Sequence, residues 1–368
     1  MNSGQNFCSR QNSCGSLLEK DVSACVRELD LTPLAGRAVL ITGATGLLGR
    51  LLVLTLLHAN RIGDLNLRIL AAVRDPAKAS AMFEHTKIVK GLHVVPHDLC
   101  KPLVLEDRAD YVLHCAAPTQ SRFFVEHPLE TIAGIVDGTR HVLEYALQSR
   151  AVSVVYLSSL EIYGEVVRED VAEKDYGYLD PLQARSSYPE AKRLAECLCF
   201  AYCKQHAVPV KIARLTQTFG AGVQHDDPRV FAEFARCVLE GRNIVLRTPG
   251  ETRRAYCYTT DAVSALLTIL LRGENGQAYN VANRTTYVSI RELAEAMANG
   301  QGGMRVVVEP DQEERGYNPT LKINLRTDKL EALGWKPSVG MEEMIDRLLE
   351  GMRQERQITE GNAACRIL

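Results

Sequence analysis

The chain has 368 residues, 46% of them hydrophobic and 24% charged, and its 43 Lys and Arg against 45 Asp and Glu give a formal net charge of −2. This mixture excludes a disordered or collagen-like chain, and the balanced charge offers no general attraction to nucleic acid or to an anionic membrane. The length predicts two domains, or one large α/β domain with an appended lobe.

The cysteines and the N-terminal segment predict a cytoplasmic protein without a metal ion. Eleven cysteines are too few for a disulfide scaffold in a chain of this length, and their spacing matches no zinc site. The N-terminal segment has no apolar core of signal-peptide length, and the most apolar stretch, 47–57, is too short to span a bilayer. We therefore expect a protein of the reducing cytoplasm.

Apolar strands alternate with helical segments over the first 215 residues. A polar tail over 1–20 overlaps a short amphipathic helix predicted over 17–31. Near-continuous apolar strands separated by helices predict a parallel sheet covered on both faces, which is a doubly wound Rossmann fold of the α/β class. The predicted strands cover 37–42, 67–73, 92–96, 111–116 and 152–158, and the main helices cover 47–58, 128–148 and 188–206.

Beyond residue 215 the strands become shorter, which predicts a smaller C-terminal α/β substrate lobe. The predicted strands there are 243–248, 277–282 and 305–310, and the predicted helices are 228–240, 260–271 and 289–298. We assign residues 1–35 to a tail and packing helix, 36–215 to the Rossmann domain and 216–368 to the lobe. The chain is expected to interleave between the last two regions.

A glycine-rich segment follows the first strand directly. Residues 42–49 read TGATGLLG, a TGxxGxxG pattern between an apolar strand and an apolar helix. Glycines at these positions let the backbone approach a pyrophosphate, whose charge is then stabilised by the helix N-terminus. The pattern predicts a nicotinamide dinucleotide site with the phosphate-binding residues Gly43, Thr45, Gly46, Leu47, Leu48 and Gly49.

Residues after the next strands are predicted to hold the adenosine end of the cofactor. A carboxylate after the second strand selects NAD by binding the ribose hydroxyls, whereas an arginine favours NADP, and the sequence offers Arg74 and Asp75 side by side. Asp75 stands later than usual after the glycine segment, which predicts an insertion over 58–66. NAD is the predicted cofactor, and Arg74 leaves NADP open. The third and fourth strands contribute Asp98, Leu99 and Ala116.

A tyrosine and a lysine four residues apart carry the predicted chemistry. Tyr188 and Lys192 form a YxxxK pattern, and side chains at i and i+4 of a helix share one face. A lysine ammonium beside a phenol favours the phenolate, so the pKa of Tyr188 is predicted to fall and the phenol to accept a proton near neutral pH. Both side chains are also predicted to contact the cofactor. A serine hydroxyl from Ser158 or Ser159 is predicted to orient the alcohol being oxidised.

Together these segments resemble the extended short-chain dehydrogenase/reductase family, and within it the nucleotide-sugar branch of epimerases, dehydratases and decarboxylases. The resemblance covers about residues 36–350 and is strongest to the UDP-glucuronate decarboxylases. It implies that 36–215 binds NAD(P) and that 216–368 binds a nucleotide sugar. It is carried by YLSSLEIYGE, by DYGYLDPLQARSSYPEAKR and by HDDPRVFAEFARCVLEGRNIVLRTPGETRRAYCYTTDAV.

The resemblance implies a reaction with internal redox and no metal. Bound NAD takes hydride from C4 of the sugar while Tyr188 removes the hydroxyl proton; the resulting β-keto acid loses CO2, and the same cofactor returns the hydride. The expected conversion is UDP-glucuronate to UDP-xylose and CO2. The resemblance also implies a homodimer in which the helices over 128–148 and 188–206 meet those of a second subunit.

Further residues match functional positions of that family. Ser159 matches the hydroxyl residue that contacts the C4 oxygen, and Glu161 matches a glutamate that dehydratases use as a base at C5 and decarboxylases retain. The resemblance implies three arginines as substrate contacts. Arg185 aligns with the arginine before the catalytic tyrosine of decarboxylases, and Arg254 aligns with an arginine that clamps the nucleotide diphosphate. Arg229 stands at the start of a lobe helix near the nucleotide.

Three residues depart from the family pattern. Leu160 stands where 4,6-dehydratases carry a proton-donating aspartic acid, so 4,6-dehydration is disfavoured. Decarboxylases usually have a hydroxyl at that position and 4-epimerases a small apolar residue, so Leu160 also favours epimerisation. Gln217 replaces an asparagine that meets the phosphates but keeps the amide, and is counted with the substrate contacts. Ile135 replaces an asparagine in the helix lining the site.

Several functions remain open on the sequence alone. The leading prediction is a UDP-glucuronate decarboxylase, followed by a 4-epimerase acting on UDP-glucuronate or a related sugar. A net ketone reductase using NADPH is a different enzymatic class, which also shows VRDP after the second strand, as here at 73–76. A redox-sensing regulator on the same fold is the non-enzymatic alternative, which the presence of both Tyr188 and Lys192 disfavours.

Overall fold

The computed structural model describes residues 16–84, 90–300, 303–310 and 320–365, and the first fifteen residues of the tail predicted over 1–20 lie outside these ranges. The helices are α1 (Leu17–Arg27), α2 (Leu47–Gly63), α3 (Pro76–Glu84), α4 (Ser121–Glu126), α5 (Pro128–Ser149), α6 (Ser187–His206), α7 (Val230–Leu239), α8 (Thr259–Arg272), α9 (Ile290–Asn299), α10 (Asp328–Glu331) and α11 (Met341–Cys365). The strands are β1 (Ala38–Thr42), β2 (Arg68–Val73), β3 (Leu92–Pro96), β4 (Tyr111–His114), β5 (Ser153–Ser159), β6 (Asp170–Val171), β7 (Val210–Leu215), β8 (Gln217–Phe219), β9 (Ile244–Leu246), β10 (Arg253–Tyr258), β11 (Ala278–Val281), β12 (Asn283–Ser289), β13 (Val306–Val308) and β14 (Lys322–Leu325).

A seven-stranded sheet in the order β11-β7-β5-β4-β1-β2-β3 forms the centre of the protein. Every neighbouring pair in it is parallel. All residues of β1, β4 and β7 are buried, because helices cover both faces of the sheet. The doubly wound α/β fold predicted from the apolar strands is confirmed.

The strand order reverses between β1 and β4, and ligands of such sheets bind at the carboxyl ends of the strands flanking this point. Here the glycine segment after β1 meets the residues after β4. The backbone N–H of Ala116 donates to the Thr42 hydroxyl at 3.3 Å, and a Cβ built on Gly43 would lie 2.8 Å from the Ala116 Cα. The switch point therefore places the predicted pyrophosphate loop beside the end of β4.

A second, smaller layer is built mainly from the chain after β7. Its strands run in the order β12-β10-β14-β6, with β8 paired to β10, and β13 pairs with β9 separately. The chain contributes β6 to this layer before it forms β7, enters the layer again with β8, and returns to the edge of the first sheet with β11, which pairs with β7. The two layers are thus built from alternating stretches of sequence.

Helix α1 contacts both layers. A capping box formed by Ser16 and Glu19 starts it, and it ends four residues before the predicted 31. Leu18 packs against both hydrophobic cores. The buried carboxylate of Asp21 accepts hydrogen bonds from the Tyr258 hydroxyl and, at 2.6 Å, from Arg347 of α11. This helix therefore contacts both layers through apolar and charged groups.

Two further differences from the predicted elements affect the site. The predicted insertion over 58–66 is mostly a longer helix, since α2 continues to Gly63 before β2 begins at Arg68. Helix α3 directly after β2 was not predicted. Within the described residues, none of the helices combines the length and apolarity needed to cross a membrane.

Candidate active site

The glycine segment forms a narrow turn into α2. Gly43 has a φ of +66°, and a Cβ on Gly49 would lie 2.2 Å from the Gly43 carbonyl oxygen. Gly46 is the N-cap of α2 and offers no side chain to the first backbone N–H groups of the helix. These N–H groups and the helix dipole are thus available to a phosphate, and the cradle fits a dinucleotide pyrophosphate.

The other residues of the predicted phosphate loop contribute chiefly backbone. Leu47 and Leu48 are partly buried against the hydrophobic core, so their side chains anchor the start of α2. Thr45 lies between the glycines and is partly exposed. Their expected contacts with phosphate through backbone N–H groups stay predictions.

The predicted ribose-binding pair is divided between two roles. The Asp75 carboxylate accepts a hydrogen bond from the Lys78 backbone N–H at 3.0 Å, so it caps the first turn of α3. Arg74 is exposed and makes no ion pair within the described residues. Asp75, the acid predicted to select NAD, is therefore hydrogen-bonded to the start of α3. Arg74, the residue that favours NADP, has an exposed side chain that could contact a cofactor.

The residues after β3 lie against helix α5. Asp98 accepts from the Cys100 backbone N–H at 3.1 Å, and the Leu99 carbonyl accepts from the His141 ring at 3.0 Å. The Leu99 side chain approaches Gly138 of α5, where an added Cβ would lie 3.3 Å away. Asp98 and Leu99 are thus held on the β3 side of the switch point, where an adenine contact was predicted.

A hydrogen-bonded chain behind Ala116 was not predicted. Burial lowers the pKa of His114 to about 3, so its ring is neutral. The ring lies 2.7 Å from the Thr42 hydroxyl and 3.3 Å from the Thr139 hydroxyl, and Thr139 donates to the Ile135 carbonyl at 2.6 Å. This chain ties β1, β4 and α5 together. Buried Ile135, which replaces the expected asparagine, contributes its backbone oxygen.

Tyr188 and Lys192 share the buried face of α6, as predicted. The Tyr188 ring stacks on Phe124 with centroids 4.2 Å apart and an interplanar angle of 10°. Lys192 Nζ donates to the Leu157 carbonyl at 2.7 Å and lies 5.9 Å from the Tyr188 ring centroid. The lysine is thus fixed to β5 behind the tyrosine.

The prediction that this lysine brings the pKa of Tyr188 near neutrality is wrong. Burial raises the pKa of Tyr188 above its ordinary value, and the negative charge of Glu161 adds to this; the Ser159 hydroxyl and the charge of Arg185 oppose it. Burial also lowers the pKa of Lys192 to about 8. The sequence showed the proximity of the groups but not the cost of burying a phenolate.

Glu161 and Arg185 form an ion pair next to Tyr188. Arg185 Nη2 donates to Glu161 Oε2 at 2.7 Å, and the Arg185 guanidinium carbon lies 5.0 Å from the Phe124 ring centroid. The Ser159 hydroxyl accepts from the Glu161 backbone N–H at 3.2 Å. The structure therefore brings the four predicted catalytic side chains and Arg185 into one cluster at the end of β5.

The predicted lobe contacts differ in their surroundings. Gln217 has its side-chain oxygen buried without a hydrogen-bond partner in the described part of the chain. Gln217 is paired in register with Tyr256 of β10. Burial raises the pKa of Tyr256, and the positive charge of nearby Arg254 partly opposes this rise. Arg229 is instead held by Asp227 through Nε at 2.9 Å. A nucleotide would compete with this carboxylate for Arg229.

A buried ion pair under the site also went unpredicted. Arg214 of β7 binds Glu196 of α6 at 2.6 Å, with 2% and 9% of the two side chains exposed. The Ser158 hydroxyl donates to Glu196 at 2.5 Å, and Arg214 donates to the Tyr163 hydroxyl at 3.0 Å. Glu196 follows Lys192 by one helical turn, and that spacing was the only signal in the sequence.

Leu160 follows the end of β5 but is itself buried. It belongs to a small apolar cluster with Ile162, Tyr163 and Val171. A leucine cannot donate a proton to a departing hydroxyl. The structure thus gives this position a packing role and provides no acid there for 4,6-dehydration.

Comparison with known proteins connects this geometry to a family. Residues 39–282 match the model of the NAD dependent epimerase/dehydratase family. A UDP-glucuronic acid decarboxylase of Arabidopsis thaliana is 30% identical over 262 residues, covering 71% of this chain and 74% of that protein. A dTDP-glucose 4,6-dehydratase structure from Streptomyces venezuelae has a TM-score of 0.74 at 22% identity, covering 87% of this chain and 98% of that one. A UDP-glucuronic acid 4-epimerase structure from Bacillus cereus has a TM-score of 0.70 at 20% identity, with the same coverage.

Proposed function

Because the chain belongs to the NAD dependent epimerase/dehydratase family, we propose that it oxidises C4 of a nucleotide sugar transiently and that its reaction converts UDP-glucuronate to UDP-xylose and CO2. The observation that carries this proposal is the cluster of Ser159, Glu161, Arg185, Tyr188 and Lys192 beside the switch point of the sheet. The UDP-glucuronic acid decarboxylase similar to this chain supports the choice of substrate.

Each residue of the cluster has a proposed task. Tyr188 takes the proton of the C4 hydroxyl, which Ser159 orients by a hydrogen bond. The Lys192 ammonium favours the tyrosinate electrostatically. When bound, NAD would supply the acceptor for the C4 hydride and would return that hydride to C4 at the end of the reaction. Gly43, with the other residues of the glycine turn, holds the pyrophosphate.

Ketone formation at C4 makes the acid unstable, because a carboxylate on C5 is then in a β-keto acid. The C5–C6 bond breaks, CO2 leaves, and the electron pair stays on C5 as an enolate. C5 then takes a proton that comes from solvent, and Tyr188 returns the proton that it removed to the C4 oxygen. We assign Glu161, whose carboxylate pairs with Arg185 at 2.7 Å, to the proton transfer at C5. UDP and the C1 linkage are unchanged, and Gln217, Arg229 and Arg254 are the proposed nucleotide contacts.

The direct test incubates the purified protein with UDP-glucuronate and no added cofactor, and follows the sugar nucleotide by mass spectrometry and proton NMR. We expect loss of CO2 and the anomeric signal of a UDP-pentose. An unchanged mass with a new anomeric signal would instead establish 4-epimerisation. This is the second candidate function, and it is favoured by the apolar Leu160 at a position where decarboxylases usually have a hydroxyl residue. No change with NAD supplied would exclude UDP-glucuronate as the substrate.

NAD is the proposed cofactor, and exposed Arg74 supports NADP as the alternative. With NAD, Arg74→Ala should change the affinity of the purified protein for the cofactor less than threefold, because an arginine has no partner on an unphosphorylated ribose. Titration of NAD+ and NADP+ into wild type, Arg74→Ala and the control Lys78→Ala measures this directly. Tighter NADP+ binding by the wild type, weakened at least tenfold in Arg74→Ala, would reverse the assignment.

A cytoplasmic homodimer completes the proposal. Helices α5 and α6 carry the exposed apolar side chains Ile132, Leu194 and Phe200, which a second subunit would cover. Sedimentation equilibrium of the purified protein is expected to give twice the mass of one chain. A monomer at micromolar concentration would contradict the dimer.

A further inference from the structure

The Arg185 guanidinium is fixed beside Tyr188 with one amino group unused. Its side chain is 12% exposed, and its Nη2 donates to Glu161 at 2.7 Å. Its Nη1 is buried and has no hydrogen-bond partner among the described residues. A buried donor without an acceptor destabilises the folded protein. Such a donor, in a guanidinium 6.0 Å from the Tyr188 ring centroid, indicates an acceptor on the ligand.

Aromatic stacking defines the position of this donor. The guanidinium carbon lies 5.0 Å from the Phe124 centroid and 6.0 Å from the Tyr188 centroid, and these two rings stack on each other. A planar guanidinium on aromatic faces is preorganised, so its remaining N–H groups point in fixed directions. The contacts of the Arg185 guanidinium with Phe124 and Glu161 therefore fix the position of its second amino group, Nη1.

Charge identifies the acceptor. Glu161 places one carboxylate in the cluster, so a sugar that carries a second carboxylate beside C5 is repelled unless a cation separates the two. A guanidinium can donate to two carboxylates at once, one through each amino group, and a hydroxymethyl group in place of the acid gains only a weaker neutral hydrogen bond. The unused Nη1 thus matches an anionic sugar substituent better than a neutral one.

The other cations near this cluster each have at least one protein partner. Lys192 donates to a backbone carbonyl of β5, and Arg193 donates to two backbone carbonyls at 2.7 and 2.8 Å. Arg214 is neutralised by Glu196 under the site. Arg185 therefore offers this cluster a guanidinium N–H that has no acceptor among the described residues.

We propose that Arg185 Nη1 binds the C6 carboxylate of the sugar, and that Arg185 makes this site select acidic over neutral UDP-sugars. The inference rests on the proposed function, because it takes the C4 hydroxyl to lie at Tyr188 and C6 to lie beside it. Glu161 has an indirect part in this selection: it positions the guanidinium and opposes the substrate's negative charge.

The experiment compares the affinities of two ligands that differ only at C6. Binding of UDP-glucuronate and UDP-glucose to the cofactor-loaded protein is measured by calorimetry for wild type, Arg185→Gln, Arg185→Lys and the surface control Arg247→Gln, all in a Tyr188→Phe background that prevents turnover during the titration. Wild type is expected to prefer the acid, and Arg185→Gln to lose 10- to 100-fold of UDP-glucuronate affinity while UDP-glucose changes less than threefold. Arg185→Lys should fall between them, since an ammonium keeps the charge but lacks the fork.

Glu161→Gln provides a test of opposite sign. Removing the glutamate charge should tighten UDP-glucuronate severalfold and leave UDP-glucose unchanged, although turnover falls. If Arg185→Gln lowered the affinity for both ligands equally, Arg185 would have only a structural role and the inference would be overturned. A wild type that does not prefer UDP-glucuronate would contradict the proposed function itself, whereas a preference retained in Arg185→Gln contradicts only the role of Arg185.

Discussion

Tyr188→Phe is expected to lower kcat by about 10²- to 10⁴-fold, the range usual for loss of a positioned general base. Phenylalanine keeps the ring that stacks on Phe124 at 4.2 Å and removes only the hydroxyl. Both the removal of the C4 proton and its return require that hydroxyl, so oxidation and reduction should fail together. Turnover of UDP-glucuronate followed by NMR measures the loss.

The controls for this variant separate chemistry from folding. Cofactor content and the affinity for the sugar nucleotide should change less than threefold, because Tyr188 is proposed to act chiefly in the transition state. Tyr202→Phe, farther along the same helix and partly exposed, should keep wild-type turnover. Retention of more than a tenth of the activity in Tyr188→Phe would rule out this tyrosine as the base.

Arg214→Met is expected to reduce the free energy of unfolding by about 3–5 kcal/mol, because it leaves the buried Glu196 carboxylate without its cation. Glu196 would retain only the Ser158 hydroxyl in a site that is 9% exposed. The pair also attaches α6 to β7, so the loss should loosen the helix that carries Tyr188. Urea unfolding followed by circular dichroism measures the change.

A double variant shows whether the charge or the packing dominates. Adding Glu196→Gln to Arg214→Met should recover part of the lost stability, since no unpaired charge then remains buried. The matched control is Arg247→Met, whose partner Glu309 and own side chain are both about half exposed, and it should stay within about 1 kcal/mol of wild type. An equally small effect of Arg214→Met would contradict the importance of the buried pair.

The parts of the fold that sequence could predict are those whose burial depends on local pattern. Strands β1, β2, β4 and β5 are continuous apolar runs because both of their faces are covered. Strand β7 was missed since Lys211 and Arg214 interrupt its apolar run, and only the folded chain supplies their partners, Ser153 and Glu196. Strands β6, β8 and β14 have only two to four residues, too few to show a period, whereas the equally short β9, β11 and β13 lie within apolar runs that were predicted as strands.

The candidate site was predictable in its membership and not in its electrostatics. The spacing of Tyr188 and Lys192 and the position of Ser159 after β5 were enough to place these three together. No local pattern indicates that Phe124, from a six-residue helix far away in sequence, stacks on the tyrosine. Nor could spacing show that Arg229 is held by Asp227, because the ion pair depends on the turn before α7.

The return of the chain to β11 after the lobe has begun has a consequence for cooperativity. β7 pairs with β11 on one side and with β5 on the other, while β8, one residue after β7, belongs to the other layer. Unfolding of one layer would therefore remove a strand from the other layer or expose an edge of the other layer's sheet. A gene divided after residue 215 would therefore not yield two independently folding halves, and heating should produce a single transition rather than two.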